Sequence, residues 1–230
     1  MQDVGGLEKS IGVSFNNKDL LMQAMIHRSY LNENQSLGMD HNERLEFLGD
    51  AVLELAVTEV LYEKFPEKPE GELTALRAAL VNAETLSDIA QKFSFNDYIF
   101  LSRGEAKDVG RARRYILANA IEAVIGAIYL DQGYPVAASF IDRAVMPELD
   151  MVLHEKRWRD PKSLFQEEAQ ARVGITPIYQ VMKEWGPDHD KHFVVGVYLG
   201  NELVSEGEGH SKQEAEVEAA RMGLRQKQWL

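Results

Sequence analysis

The hydrophobic periodicity of this sequence changes once, near residue 155, and that change limits what the chain can fold into. Before it, apolar residues recur at spacings of three and four, which is typical of helices that bury one face. After it, short segments rich in Val, Ile, Tyr and Phe are separated by Gly and Asp, as in strands joined by turns. We therefore expect an all-α domain followed by a small α+β domain.

The two patterns also predict where the elements lie. In the first part we expect helices over residues 19–30, 42–65, 72–93, 115–132 and 136–154. In the second part we expect the order αβββα, with helices over 164–173 and 211–228 and strands over 177–184, 192–199 and 202–206. The domains are placed at 1–153 and 162–230, with the charged stretch 154–161 as a linker.

Composition excludes several classes of protein. The 230 residues include 45% hydrophobic residues, enough for a packed core, and carry a net charge of −12, which argues against binding polyanions through bulk charge. The absence of cysteine excludes disulfides, thiolate metal sites and cysteine nucleophiles. The N-terminus does not resemble a signal peptide, and the most apolar segment, 116–130, is too short to span a bilayer. We expect a cytoplasmic protein without a membrane partner.

One face of the helix predicted from residue 42 is strongly acidic. Glu43, Glu46, Phe47, Asp50 and Glu54 fall within an arc of roughly 100° when residues are placed about 100° apart. Like charges at these spacings repel by about 0.2 to 0.5 kcal/mol per pair, so the clustering of carboxylates on this face requires an explanation. It is either an ordinary solvated surface or a site for a cationic ligand.

The helix predicted over 115–132 favours the second interpretation. Within residues 115–130 of this helix, Asn119 and Glu122 are the only strongly polar side chains, and they lie one turn apart beside the small residues Ala123 and Gly126. Burying a lone carboxylate costs several kcal/mol unless a partner or cation neutralises it. The small neighbours would allow another helix to approach closely.

If that other helix is the acidic one, four oxygen-bearing side chains converge. They are Glu46, Asp50, Asn119 and Glu122. A cluster of oxygen ligands without His or Cys suits Mg²⁺ or Mn²⁺, and carboxylate-held metals commonly hydrolyse phosphodiesters. The alternative is a buried polar contact with basic partners, which Arg44 or Arg77 could supply.

The segment NERLEFLGDAV at 42–52 resembles the signature of bacterial ribonuclease III. The resemblance continues through MIHRSY at 25–30, EGELTALRAALV at 70–81 and ILANAIEAVIGAIYLDQG at 116–133, and the αβββα tail resembles a double-stranded-RNA-binding domain. It implies a divalent-metal-dependent endoribonuclease that cleaves double-stranded RNA to 5′-phosphate and 3′-hydroxyl ends. The implied substrates are rRNA, mRNA and tRNA precursors.

The same resemblance implies roles for the acidic residues. The metal ligands would be Glu46, Asp50, Asn119 and Glu122, with Mg²⁺ as cofactor and Mn²⁺ as a possible substitute. Asp50 and Glu122 would be catalytic, and Glu43 and Glu70 would be auxiliary acidic groups. The family usually has Asp where this chain has Asn119. An amide oxygen can still coordinate Mg²⁺ but brings no charge. A duplex-RNA-binding protein with impaired catalysis is therefore the alternative.

The C-terminal part contains a predicted phosphate site. Ser211 followed by Glu214 is a capping-box pattern, so a helix begins there with its N–H groups and Lys212 available to an anion. The resemblance implies the following RNA contacts: Gln166, Gln170, His189, Ser211 and Lys212.

Phe47 is an aromatic residue among carboxylates, where a core position is not expected. A partner surface is the simplest place for such a ring. The resemblance implies a homodimer in which Phe47 inserts into the other subunit. The alternative is that Phe47 covers a pocket in its own chain.

Overall fold

The computed structural model describes residues 5–34, 36, 38–107, 109–156, 158–187 and 190–229. The chain divides into two compact units, the first ending at Val152 and the second beginning at Leu153. The described part of the first unit is helical, and the second contains a three-stranded antiparallel sheet with a helix on either side of it in the chain. This confirms the predicted fold class.

The described residues up to 154 form nine α-helices. They are α1 (Gly5–Ile11), α2 (Lys18–Ala24), α3 (Arg28–Glu33), α4 (Glu43–Lys64), α5 (Glu70–Leu80), α6 (Ala83–Lys92), α7 (Arg111–Gln132), α8 (Tyr134–Ala144) and α9 (Leu149–His154). Short 3₁₀ turns occupy Phe95–Asp97, Glu105–Lys107 and Met146–Glu148. None of the described helices is long and apolar enough to cross a membrane.

Three helices predicted as continuous are broken. The 19–30 helix divides because Ile26 forms an isolated parallel bridge with Phe100, and His27 then caps α3. The 72–93 helix divides at Asn82, whose side chain accepts a hydrogen bond from the Thr85 backbone N–H at 2.9 Å and begins α6. The 136–154 helix is interrupted by the 3₁₀ turn that contains Pro147.

The helix predicted from residue 115 begins earlier, at Arg111. The basic residues Arg111, Arg113 and Arg114 therefore lie in the first turn of α7.

The α4 and α7 helices cross with their backbones almost in contact, through Gly49 and Gly126. A Cβ atom added to Gly49 would lie 1.7 Å from the backbone oxygen of Glu122. One added to Gly126 would lie 2.2 Å from the backbone oxygen of Leu45. Only glycine fits at either position, and this crossing is the close approach that the small residues of α7 predicted.

The second unit contains α10 (Pro161–Val173), β1 (Ile178–Trp185), β2 (His192–Leu199), β3 (Glu202–Gly209) and α11 (Lys212–Lys227). The sheet order is β1-β2-β3, with antiparallel pairing throughout. The predicted alternation of β2 is observed, because Phe193, Val195, Val197 and Leu199 are all buried. β3 continues three residues beyond its predicted end, as far as Gly209, which pairs with Phe193.

Candidate active site

The first turn of α4 is held in place by Asn42, a buried polar residue. Its side-chain amide donates to the Ala24 carbonyl at 3.1 Å, and its backbone N–H donates to the Ile26 carbonyl at 2.9 Å. Its own carbonyl accepts from the Glu46 N–H at 2.9 Å. The acidic face of α4 is therefore anchored to the end of α2 as well as to α7.

The crossing of α4 and α7 brings acidic side chains together. Burial, together with the charges of Asp50 and Glu46, raises the pKa of Glu122 from its ordinary value of 4.5 to about 8. Burial also raises the pKa of Glu46, with further contributions from Glu43 and Asp50, and a hydrogen bond from Asn119 opposes that shift. Glu46 is thus linked to Asn119 by a hydrogen bond, and Glu46, Asp50 and Glu122 are close enough for their charges to influence one another.

A cleft of about 490 Å³ opens beside this cluster. Its lining comes from the start of α3, the start of α4, the 3₁₀ turn Glu105–Lys107 and the N-terminal half of α7: His27, Arg28, Asn42, Glu43, Glu46, Glu105, Ala112, Tyr115, Ile116 and Asn119. Three predicted site residues, Glu43, Glu46 and Asn119, therefore face a space large enough for a ligand group.

The described part of the chain provides no basic partner that neutralises the cluster. On this face Glu43 forms an ion pair with Arg28 at 3.5 Å, and Nδ1 of His41 lies 3.8 Å from the Glu43 carboxylate. Arg77 donates instead to the Thr58 hydroxyl at 3.0 Å. Within the described ranges, neither Arg44 nor Arg77 forms an ion pair with these acids, so the alternative of basic partners is not what the structure shows.

His27 lines the cleft, but its ring already forms a hydrogen bond at the start of α3. Its Nδ1 accepts from the Ser29 N–H at 3.3 Å as the cap of α3, and burial lowers its pKa. The wall formed by His27 and Asn42 was not predicted from the sequence. The motifs HRS and HNER, which contain His27 and Asn42, are the sequence features that could have indicated this wall.

Glu70 and Phe47 lie apart from the interactions of the cluster. Glu70 begins α5, and its side chain accepts from the Thr74 hydroxyl at 3.1 Å. It is not among the groups that shift the pKa of Glu46 or Glu122. Phe47 is 82% exposed, so the ring does not fill a pocket within its own chain.

The predicted phosphate site in the second unit has the expected local geometry. Ser211 caps α11, with its hydroxyl accepting from the Glu214 N–H at 3.1 Å. Lys212 is the first residue of that helix, is exposed, and holds its ammonium 5.6 Å from the centre of the Phe193 ring. A cation and a helix N-terminus therefore lie together on the surface.

Of the other predicted RNA contacts, Gln166 and Gln170 are both exposed on α10. The Gln170 amide donates to the Thr176 hydroxyl at 3.2 Å. His189 lies outside the described residues.

A helical unit with an acidic cluster on two crossing helices, followed by an αβββα unit, defines a class of two-domain nucleases that act on RNA. Residues 17–149 match the family model described as Ribonuclease-III-like, and residues 161–227 match the double-stranded RNA binding motif. The first match alone covers more than half of the chain. The chain belongs to the ribonuclease III family and is an endoribonuclease specific for double-stranded RNA.

Similar proteins support this assignment over nearly the full length. The chain is 48% identical over 219 residues to "Ribonuclease 3" of Natranaerobius thermophilus, covering 95% of this chain and 94% of that protein. It is 45% identical over 217 residues to "Ribonuclease 3" of Borreliella afzelii, covering 94% and 88%. The ribonuclease III family is generally dependent on divalent metals.

A solved structure agrees for the first unit. The nuclease domain of ribonuclease III from Campylobacter jejuni superimposes with a TM-score of 0.55 and 40% identity, over 62% of this chain and 98% of that one. That structure is described for a flexible region involved in dimer formation.

Proposed function

We propose that the chain hydrolyses double-stranded RNA with Mg²⁺ held by Glu46, Asp50, Asn119 and Glu122, and that Mn²⁺ can substitute. The observation that carries the proposal is the close crossing of α4 and α7 at Gly49 and Gly126, which brings the Glu122 carboxyl near Asp50 and Glu46 and raises its pKa. Carboxylates crowded in this way repel one another, and a divalent cation relieves the repulsion. RNA cleavage then leaves 5′-phosphate and 3′-hydroxyl ends.

The donor set fits a hard divalent ion. All four side chains offer oxygen, which Mg²⁺ prefers, and three of them are carboxylates. Asn119 contributes an amide oxygen without charge, so we expect weaker metal binding than with Asp at this position, but not its loss. Its hydrogen bond to Glu46 holds the amide within the cluster.

In this proposal each acidic residue has its own part. A divalent ion, when bound, lowers the pKa of a water molecule and offsets the negative charge that develops on the phosphate. Asp50 on α4 and Glu122 on α7 are the catalytic pair, and together they would bind the divalent ion that acts on the scissile phosphate. Glu46 and Asn119 orient the cluster, and Glu43 and Glu70 are auxiliary acidic groups.

The second unit would hold the duplex. Domains of this fold recognise double-stranded RNA mainly by shape, through minor-groove contacts and the phosphates of the intervening major groove. We propose Gln166, Gln170 and His189 as groove contacts and Ser211 and Lys212 as phosphate contacts. The exposure of Lys212 beside the N-terminus of α11 supports the phosphate role.

We further propose a homodimer in which Phe47 inserts into the other subunit. The support is the 82% exposure of this ring and the dimer-forming region described for the similar nuclease domain from Campylobacter jejuni. Two active sites in one dimer would cut opposite strands. Precursors of rRNA, mRNA and tRNA are the proposed substrates and the cytoplasm the proposed location.

The test is cleavage of a uniformly labelled RNA duplex with Mg²⁺ and with EDTA. We expect cleavage only with the metal, and loss of cleavage without loss of RNA binding in Glu122→Gln. Glu63→Gln, which changes an exposed acid near the far end of α4, is the matched control and should cleave normally. RNA binding without cleavage at any Mg²⁺ or Mn²⁺ concentration would refute the metal-dependent nuclease.

The second candidate, a duplex-RNA-binding protein with impaired catalysis, is motivated by the uncharged amide of Asn119 in the cluster. The variant Asn119→Asp separates the two. In an active enzyme it lowers the Mg²⁺ concentration required for half-maximal cleavage. Cleavage that appears only in this variant would favour the second candidate.

A further inference from the structure

A second cluster of metal-ligand side chains lies in the second unit, apart from the carboxylates of α4 and α7. Asp190, His192 and His210 each offer one ligand atom, and these atoms all lie within 4.8 Å of one another. Asp190 is in the turn between β1 and β2, His192 begins β2, and His210 lies between the end of β3 and the cap of α11.

The distances within the cluster are those of a nearly assembled metal site. Oδ1 of Asp190 lies 3.6 Å from Nε2 of His192 and 3.5 Å from Nδ1 of His210. Ligand atoms bound to tetrahedral Zn²⁺ at about 2.0 to 2.2 Å are separated by about 3.3 to 3.6 Å. Two of the three separations therefore require almost no movement to accept an ion.

The type of ligand distinguishes this cluster from the acidic one. Two imidazoles and one carboxylate suit a borderline transition metal such as Zn²⁺, whereas Mg²⁺ prefers oxygen ligands alone. Three protein ligands leave the fourth tetrahedral position for water or another group.

Groups around the cluster hold the His192 ring in position. The ring stacks on its cross-strand neighbour Trp185, with 5.3 Å between centroids and 12° between planes. Oε1 of Glu208 lies 3.7 Å from Nδ1, the ring nitrogen opposite the one that faces Asp190. A carboxylate behind a metal-binding imidazole is the usual device that fixes its orientation and tautomer.

The backbone of the third ligand is also fixed. The His210 N–H donates to the Glu214 carboxylate at 3.0 Å, in the same capping arrangement that begins α11. The His210 ring lies 4.4 Å from the His192 ring, measured between centroids. Both imidazoles therefore project from backbone that β2 and α11 already hold in place.

We propose that Asp190, His192 and His210 bind a Zn²⁺ ion, with Glu208 as the supporting carboxylate. The ion ties the turn between β1 and β2 to the start of α11. These are the two segments that contain His189 and Ser211, so the site links a segment proposed to contact an RNA groove with one proposed to contact phosphate. The binding of the ion itself does not depend on the proposed nuclease function.

The test uses the full-length, metal-free protein and Co²⁺ as a spectroscopic probe for Zn²⁺. Tetrahedral Co²⁺ with nitrogen ligands gives strong visible absorption, whereas Co²⁺ held octahedrally by the oxygen ligands of the acidic cluster absorbs weakly. We expect a strong band that Zn²⁺ abolishes. The band should be absent in His210→Ala and in His192→Ala, and present in His154→Ala, which removes an exposed histidine outside the cluster.

Equilibrium dialysis with Zn²⁺ provides a second measurement. His210→Ala should bind one Zn²⁺ fewer per chain than the wild type, and Glu208→Gln should keep the stoichiometry but lose about 10- to 100-fold in affinity. Far-UV circular dichroism confirms that each variant is folded. Equal Zn²⁺ stoichiometry in the wild type and folded His210→Ala, or a Co²⁺ band unaffected by both histidine variants, would overturn the proposal.

Discussion

Replacement of Glu122 by Gln should stabilise the metal-free protein at alkaline pH. Burial and the neighbouring acids raise the pKa of Glu122 from 4.5 to about 8, so the folded protein retains a proton that the unfolded chain has already released. The free energy of unfolding of the wild type therefore falls as the pH rises from about 4.5 through about 8. Gln resembles the protonated carboxyl at every pH, so the free energy of unfolding of the variant should not fall in this way.

The size of the effect follows from the pKa shift. The difference between 8 and 4.5 corresponds to about 5 kcal/mol at about 1.4 kcal/mol per pKa unit, which is an upper limit. Because Glu122 is only partly buried, solvent screening reduces the expected gain to about 2 to 3 kcal/mol above pH 8. Below pH 4.5 the wild type and the variant should be equally stable, since the carboxyl is protonated in both the folded and the unfolded chain.

The assay is urea unfolding in EDTA at pH 5, 7 and 9, for the wild type, Glu122→Gln and the control Glu63→Gln. The variant should gain stability over the wild type progressively with pH, and the control should not. Addition of Mg²⁺ at pH 9 should stabilise the wild type more than Glu122→Gln, because the cation replaces the proton. A difference between Glu122→Gln and wild type that is the same at pH 5 and pH 9 would refute the reasoning.

Three further substitutions test the crossing of the helices, the RNA contact and the dimer. Gly126→Ala should cost about 3 kcal/mol or more in urea unfolding, because its Cβ would lie 2.2 Å from the Leu45 carbonyl oxygen, whereas Gly71→Ala, with open space around it, should cost nothing. Equal stability of the two variants would contradict this packing. Lys212→Ala should weaken binding to duplexes of any sequence and reduce the salt-dependence slope by about one in filter-binding titrations. An unchanged slope would exclude the phosphate contact. Phe47→Ala should shift the protein from dimer to monomer in multi-angle light scattering, and a monomeric wild type would end the dimer proposal.

Much of the fold could be predicted because the local spacing of apolar residues indicates whether a segment is a helix or a strand and which of its faces is buried. The alternation along β2 and the helix start capped by Ser211 are examples, and both lie in the structure where the pattern indicates. The breaks in the helices were harder to predict. Ile26 leaves its helix to pair with Phe100, a residue 74 positions away that the local pattern does not contain. The apolar spacing continues across the end of α2, so the spacing alone did not indicate where that helix ends.

The sequence by itself determined that Glu46, Asp50, Asn119 and Glu122 lie on suitable faces of two helices, and that one of those helices is lined by small residues. Only the tertiary structure decided that the helices cross at Gly49 and Gly126, which is what raises the pKa of Glu122. The histidine cluster of the second unit had no local signal either, because strand register and a helix cap bring together residues up to 20 positions apart. The apolar periodicity of a segment indicates which of its faces is buried. A pKa shift or a ligand cluster depends instead on which distant segments pack against each other.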